Sequence, residues 1–203
     1  SDGSIFWGNG LGIEGTTAGE FCFNTSMTGY QEIITDPSYA DQIITFTFPH
    51  IGNIGINEND LEHQHTFAKG IVLRVDTTDP SNYRATETFD NWLNSIGLIG
   101  ICGVDTREIA KKIRIFGAIN GVICHCKKGS FNINQLTKMA KDYIGLEGRD
   151  LAKSVSCDRI YTWHDSTWQF GDSSSPDAFR TSETEDYHLS LIHISEPTRL
   201  GFI

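Results

Sequence analysis

Three glycines near the N-terminus have the spacing of a phosphate-binding turn. Gly10, Gly12 and Gly15 match the pattern GxGxxG, which in a dinucleotide-binding protein follows a strand and opens a helix whose N-terminus holds the pyrophosphate. The residues that follow here, TTAGEFCFN, are typical of a strand, so no helix dipole would point at a phosphate. We interpret these glycines as turn residues, because a nicotinamide-linked enzyme would need a βαβ unit that this pattern does not predict.

Cys102 lies in the sequence GICG, which has a superficial likeness to the elbow that presents a catalytic cysteine. Such an elbow needs a glycine two residues beyond the nucleophile, and Val104 stands there instead. We therefore predict that Cys102 is a buried strand residue. No catalytic residue is predicted in this sequence.

A short polar stretch, Glu62–His65, contains His63 and His65 with the spacing His-x-His. Alternate side chains of a strand face the same way, so this spacing can hold zinc. The flanking sequence is acidic and loop-like and offers no third ligand, so we predict a solvated loop. Cys124 and Cys126 share a strand face in the same way, and we predict packing rather than redox chemistry. No metal site and no cofactor bound by this chain are predicted.

The segment Asn24–Gly55 is dense in residues with local backbone roles. Asn24 is a candidate cap, Asp36–Ser38 predict a turn, and residues 49–53 form a polar loop after an apolar strand. Polar loops at strand ends are where binding sites usually lie, and the same residues also make ordinary turns. The residues alone leave both alternatives open.

Composition and charge exclude several classes of function. With 26 acidic and 16 basic residues the formal net charge is -10, so the average field repels nucleic acid and anionic membrane surfaces. The N-terminus lacks a signal peptide pattern, and no apolar run reaches the length of about 20 residues that a membrane span needs. We expect a cytoplasmic protein whose five cysteines are reduced, with neither nucleic acid nor membrane as a partner.

The candidate residues must be positioned by strands and helices, which the spacing of apolar residues predicts. Near-continuous apolar runs such as IITFTF indicate strands covered on both faces. Strands are predicted at Ser4–Trp7, Glu20–Asn24, Gln42–Phe48, Gly70–Val75, Leu98–Val104 and Val122–Cys126, and helices at Phe89–Ile96, Thr106–Phe116 and Asn132–Tyr143. Strands and helices do not alternate strictly, so the predicted fold class is α+β.

The pattern changes after about residue 150, and we predict that residues 1–150 form the main domain. Residues 151–188 are interpreted as a hairpin and linker, since aromatic residues alternate from Tyr161 to Phe170 and residues 171–185 are polar and rich in Ser and Asp. Residues 189–203 show neither a helical nor a strand period.

The segment Asn24–Gly55 resembles the most recognisable stretch of the small, glutamine-using subunit of carbamoyl phosphate synthetase. The likeness continues through AKGIVLR, PSNYRATETF, GICGVDTREIAKKIRIFGAINGVI and GLEGRDLAK, and covers most of residues 2–188. Motifs this long and in this order are far more specific than the short patterns above. The resemblance implies an N-terminal α+β domain of the swivelling β/β/α type, followed by a class I glutamine amidotransferase domain.

In that family the amidotransferase domain releases ammonia from glutamine, and the large subunit converts it with bicarbonate and ATP into carbamoyl phosphate for arginine and pyrimidine synthesis. The resemblance thus implies a subunit of a ligase, with the large subunit as partner, glutamine as substrate, and ATP and a divalent metal on the large subunit. This sequence would supply large-subunit docking and support of the glutamine pocket, and we expect it to be inactive alone. A non-catalytic binding or regulatory module is the alternative.

One site residue follows from a matched motif: Ser38, the serine of TDPSY, which the family uses at the glutamine pocket. A hydroxyl is suited to hydrogen-bonding a polar substrate group. Two features depart from the family. The strand that usually precedes Asp2-Gly3 is missing, and the sequence diverges from the amidotransferase opening after residue 188. Because LSLIHISEPTR resembles translated sequencing-adapter sequence, we interpret residues 189–203 as a non-native tail.

Overall fold

The computed structural model describes residues 2–157, 159–162, 165–171 and 178–181. They fall into two compact units that divide near residue 158. The predicted tail at 189–203 and most of the predicted linker lie outside the described residues. Among the residues that the structure describes, none of the helices combines the length and the apolar character that crossing a bilayer requires.

A mixed six-stranded sheet forms the base of the first unit. Its strands are β1 (Asn9–Gly12), β2 (Gly15–Asn24), β3 (Gln42–Phe46), β4 (Gly70–Val72), β5 (Ile99–Cys102) and β6 (Ile119–His125). The spatial order is β1-β5-β4-β3-β2-β6. Strands β2 to β5 are parallel neighbours, whereas β1 and β6 pair antiparallel with β5 and β2. In the register, Asn24 lies opposite Phe46 and Val72 opposite Ile101.

The structure contains five α-helices among the described residues, and short polar side chains cap the N-termini of several of them. They are α1 (Tyr30–Thr35), α2 (Phe89–Ser95), α3 (Thr106–Phe116), α4 (Ile133–Asp142) and α5 (Ala152–Val155). The Asp105 carboxylate accepts from Glu108 N at 3.2 Å and starts α3, and the Asn132 side chain accepts from Gln135 N at 3.1 Å and starts α4. Sheet and helices together confirm the α+β prediction.

The predicted strand at Ser4–Trp7 is wrong, because among the described residues only Asn9–Gly12 of this region pairs in the sheet. Two short helices, α1 and α5, were not predicted, since six and four residues show too few turns for a helical period. The other predicted strands and helices are present with shifted ends, and α3 occupies the predicted range.

The central strands β3 and β4 are buried on both faces, because successive apolar side chains along a strand point to opposite sides of the sheet. Ile44 and Phe46 of β3 face one cluster with α1 and α2, whereas Ile43 faces another with α3. The first cluster includes Ile34, Ile71, Leu73, Phe89 and Leu93, and the second includes Val72, Ile99, Ile109 and Ile123. Double-sided burial explains the continuous apolar runs in the sequence.

The second unit contains an antiparallel pair, β7 (Asp165–Gln169) and β8 (Ala178–Thr181). Asp165 lies opposite Thr181 and Gln169 opposite Ala178, with an irregular register between Asp165 and Trp168. Strand β7 falls in the predicted hairpin-like stretch, whereas β8 falls in the segment that was interpreted as a linker.

The sheet curls so that its two edge strands meet at one end. His125 of β6 donates through Nδ1 to the Ile13 carbonyl oxygen at 3.0 Å, and its ring lies against Gly10 of β1. Residues 2–8 and β6 both border an apolar cavity of about 430 Å³. Its apolar lining includes Phe6, Phe21, Ile109, Phe116, Ile123, Ile133 and Leu136.

Asp2, Gly3 and Ser4 are among the residues that line this cavity. Asp2 accepts from the Ser4 backbone N–H and hydroxyl at 2.9 and 2.8 Å and from Lys112 Nζ at 2.7 Å. The Lys112 hydrogen bond, with those from Ser4, holds the pKa of Asp2 below its usual range. Gly3 has φ 78°, a backbone conformation that glycine adopts at little steric cost. The family resemblance implies a strand that precedes Asp2, and residues 2–8 border the cavity beside which such a strand would begin.

Asp41 ties the start of β3 to β4 and to the chain that follows α4. Its carboxylate pairs with Lys69 Nζ at 2.8 Å and with the Arg149 guanidinium, and its carbonyl accepts from the Tyr143 hydroxyl at 3.2 Å. Burial acts to raise the pKa of Asp41, but the hydrogen bonds from Lys69 and Arg149 lower it overall. Asp41 also has φ 60°, a left-handed conformation that Asp and Asn tolerate best among residues with side chains.

The cavity predicts that an upstream strand stabilises the first unit. Extending the chain before Ser1 by about eight residues that alternate apolar and polar should raise Tm by roughly 5 °C or more, because several apolar side chains leave water. A matched extension with serine at the apolar positions should leave Tm unchanged. Thermal unfolding followed by circular dichroism makes the comparison, and equal Tm values for both extensions would contradict this use of the cavity.

Replacing Asp41 with Asn should lower Tm by about 2–4 °C near pH 7, because Asn keeps the left-handed backbone and loses the charge. A carboxylate whose pKa is lowered by folding stabilises above its unfolded value, and this contribution disappears as pH falls through the folded pKa. The Tm difference should therefore shrink at about pH 3, below the ordinary value of 3.8. Asp79→Asn, at an exposed position, is the control; a difference that does not change with pH would refute the charge argument.

Candidate functional site

Ser38 lies in a single 3₁₀ turn, Pro37–Tyr39, between α1 and β3. The Asp36 carboxylate accepts a hydrogen bond from the Ser38 backbone N–H at 2.8 Å, and Pro37 fixes φ at the first position of the turn. Tyr39 N donates to the Asp36 carbonyl at 3.1 Å, and Ala40 N donates to the Pro37 carbonyl at 3.1 Å. The predicted turn at Asp36–Ser38 is thus confirmed, with two closing hydrogen bonds.

The turn uses the backbone of Ser38 and leaves its side chain available. Ser38 is exposed, and among the described residues its hydroxyl makes no hydrogen bond, since the only bond of this residue is through its N–H. A serine hydroxyl offers one donor and two acceptor lone pairs. Turn formation and ligand binding are therefore compatible at this residue. The glutamine contact that the family resemblance implies for Ser38 stays a prediction.

Helix α1 places the turn, and its own position is fixed by two buried polar side chains. The Tyr30 hydroxyl donates to the Gly55 carbonyl at 2.9 Å, and burial raises the pKa of Tyr30 to about 12, so the hydroxyl keeps its proton. The Gln31 amide donates to the Asn57 carbonyl at 2.6 Å and accepts from Asn57 N at 3.1 Å. Both bonds join α1 to the segment around residues 55–57, which restrains the helix that leads into Ser38.

Asn24, the last residue of β2, joins three segments beside the turn. Its side-chain oxygen accepts from Ser26 N at 2.8 Å, and its side-chain nitrogen donates to the Tyr39 hydroxyl at 3.0 Å. Its backbone carbonyl accepts from the Thr47 N–H at 3.0 Å and the Thr47 hydroxyl at 3.2 Å. Asn24 was predicted as a cap, and it closes a turn at Ser26; α1 instead begins after Gly29.

The second candidate loop, residues 49–53, is held by another part of the chain. The Ile51 carbonyl accepts from Thr78 N at 3.0 Å, and the Asn53 carbonyl accepts from Ser81 N at 2.8 Å. None of the hydrogen bonds among the described residues joins residues 49–53 to the Ser38 turn. The structure therefore links the Ser38 turn to Asn24 through the Tyr39 hydroxyl, and Asn24 to Thr47. It does not bring residues 49–53 to the same hydrogen-bonded cluster.

Cys102 has the surroundings of a structural cysteine. It is fully buried in β5, and its thiol lies 3.6 Å from an Asp76 carboxylate oxygen. Burial, with the Asp76 charge, raises the pKa of Cys102 to about 11. A thiol that keeps its proton is a poor nucleophile, so the prediction of a buried strand residue is confirmed.

The glycine pattern makes a turn and not a phosphate site. Strand β2 begins at Gly15, where a dinucleotide site would require a helix. Gly12 has φ +60°, and a Cβ atom there would lie 2.0 Å from the Leu98 carbonyl oxygen. The turn interpretation is confirmed for Gly12 and Gly15, which flank the turn between β1 and β2, because the close approach at Gly12 excludes a side chain. It is wrong for Gly10, which lies inside β1 and pairs with Ile101.

The candidate metal ligands are engaged in local contacts. His63 Nδ1 accepts from His65 N at 3.0 Å, and the His63 ring lies 5.0 Å from the Phe67 ring. Cys124 Sγ accepts from the Thr16 hydroxyl at 3.3 Å. Within the described ranges, no three or more His, Cys, Asp or Glu side chains are grouped so that they could hold a metal ion.

A family model described as "Carbamoyl-phosphate synthase small chain, CPSase domain" matches residues 1–123. The small chain of Bradyrhizobium diazoefficiens is 50% identical over 172 residues, which cover 83% of this chain and 43% of the relative. The small chain of Ruegeria pomeroyi is 49% identical over 192 residues, covering 95% and 48%.

A third relative, the small chain of Zymomonas mobilis, is 49% identical over 168 residues, which cover 83% of this chain and 45% of the relative. The chain thus spans a little under half the length of the curated relatives that it matches. The family match includes the Ser38 turn, α1, α2, α3 and the parallel strands of the sheet. This chain belongs to the carbamoyl phosphate synthase small-chain family, and the part that places it there is the CPSase domain.

Proposed function

We propose that this domain belongs to a glutamine-dependent carbamoyl phosphate synthase, in which it docks the large chain and contributes the Ser38 hydroxyl to the glutamine pocket. The observation that supports the proposal is the geometry of Ser38: its backbone is fixed in a 3₁₀ turn, while its hydroxyl is exposed. A side chain held on a rigid turn loses little conformational freedom when it binds a ligand. Such a group suits recognition of a polar substrate.

Glutamine presents an amide, an ammonium group and a carboxylate. A serine hydroxyl can donate to the carboxylate or the amide oxygen, and it can accept from the ammonium group or the amide N–H. Ser38 would orient the substrate and would not form or break a bond with it. The cysteine nucleophile and its His–Glu partners would come from the amidotransferase domain that the family resemblance implies. This division agrees with the unreactive surroundings of Cys102.

In the proposed reaction the small chain releases ammonia from glutamine, and the large chain uses it with bicarbonate and ATP to form carbamoyl phosphate, for arginine and pyrimidine synthesis. ATP and a divalent metal would be held by the large chain. We propose a cytoplasmic setting, where these substrates are available. The net charge of -10 disfavours nucleic acid and anionic membranes as alternative partners.

The direct test uses this domain at the head of a complete small chain, combined with a large chain. Ser38→Ala should raise KM for glutamine by about three- to tenfold, since a lost hydrogen bond to a ligand costs about 0.5–1.5 kcal/mol. The maximal rate should change less, because Ser38 does not touch the bond that breaks. Steady-state release of ammonia measures both parameters. Ser130→Ala, at another exposed serine, is the matched control.

Two outcomes would contradict the proposal. An unchanged KM in Ser38→Ala would remove Ser38 from the pocket. If the complete chain with the large chain released no ammonia, the domain would be better described as a non-catalytic binding or regulatory module. The 203-residue chain measured alone should release no ammonia, and release by this chain would require a nucleophile within it.

A further inference from the structure

The turn that carries Ser38 is anchored by a side chain on each side of that residue. On one side, Asp36 accepts from the Ser38 N–H. On the other, the Tyr39 hydroxyl accepts from the Asn24 side-chain nitrogen at 3.0 Å. The Tyr39 ring packs against the first core cluster, so its hydroxyl is the polar end of a side chain that is otherwise held by apolar contacts.

We propose that Asn24 and Tyr39 are positioning residues that set the place of the Ser38 hydroxyl relative to the sheet. The inference rests on the proposed function, because it concerns how the same pocket is built. Neither residue needs to touch glutamine. Their hydrogen bond joins the turn to the end of β2. It therefore connects the segment that carries Ser38 directly to the sheet.

Asn24 is suited to this role because every polar group of its side chain and its carbonyl is engaged. The bond from Ser26 N occupies its side-chain oxygen, so the side-chain nitrogen faces Tyr39. Its carbonyl accepts from both Thr47 donors, and the residue lies opposite Phe46 in the β2–β3 register. The anchor for the turn is therefore a strand end and not a loop, which defines the position of a binding group more sharply.

Loss of the hydrogen bond between Asn24 and Tyr39 should leave the turn folded but should make its position relative to the sheet less well defined. Asp36 and the two backbone hydrogen bonds of the turn would remain, and the aromatic ring of Tyr39→Phe would still pack on the core. Freedom gained by the turn would have to be lost again when glutamine binds, which weakens binding. This differs from the effect of a residue that only stabilises the fold, which would change Tm and leave KM unchanged.

A double-mutant cycle in the complete small chain with its large chain tests the pair. Tyr39→Phe and Asn24→Ala should each raise KM for glutamine by about three- to fivefold, and the double variant should show no further increase beyond the larger single effect. Asn24→Asp should restore most of the loss, because the Tyr39 hydroxyl can donate to the introduced carboxylate. The maximal rate at saturating glutamine should be close to that of the parent.

The outcomes separate this inference from the proposed function. If Ser38→Ala raises KM and Tyr39→Phe does not, the pocket assignment holds and the positioning role is wrong. If Ser38→Ala leaves KM unchanged, the proposed function itself fails. If the KM increase in the double variant equals the product of the increases in Tyr39→Phe and Asn24→Ala, the two residues act separately. That result would overturn the inference. Thermal unfolding of each variant identifies any that fails to fold.

Discussion

The parallel pairing of β2 with β3 is the interaction on which the rest of the described first unit depends. Parallel neighbours need a crossover connection, and here it consists of the loop after Asn24, α1 and the Ser38 turn. Because β2 and β3 both lie inside the sheet and β3 is buried on both faces, this crossover begins and ends on rigid structure. The position of the candidate site is thereby fixed by the core of the sheet.

The two ends of the crossover are held by different physical means. At the end of β2, neutral hydrogen bonds of Asn24 join the neighbouring segments. At the start of β3, the Asp41 carboxylate pairs with Lys69 and Arg149. The first kind of contact changes little with pH or salt, whereas the second weakens when the carboxylate is protonated or screened. The site and the chain leaving α4 can thus respond differently to solution conditions.

The elements that could be predicted from the sequence are those whose cap, apolar spacing and terminating residue all lie within one short segment. The range of α3 follows from Asp105, the apolar spacing of Ile109 and Ile113, and Gly117. The strand predicted at Ser4–Trp7 was wrong because strand formation depends on a partner, and residues 4–8 border the cavity and not a paired strand. Alternation of apolar residues carries no information about whether such a partner is present.

The candidate site shows the same division between local and distant information. The Asp36–Ser38 turn could be predicted because its residues bond to one another, and the TDPSY motif gave Ser38 its proposed role. The bond between Asn24 and Tyr39 joins residues 15 positions apart in the sequence, and it depends on α1, whose six residues gave no helical period. No spacing rule relates the end of one strand to a turn before the next.

The central claim is that the Ser38 hydroxyl contacts glutamine. The most direct measurement is a crystal structure of a complete small chain containing this domain, with glutamine or an unreactive analogue bound. We predict a distance of about 2.6–3.2 Å between Ser38 Oγ and a polar atom of the ligand. A well-defined ligand whose nearest polar atom lies beyond about 4 Å from Ser38 Oγ, with no bridging water, would contradict the claim.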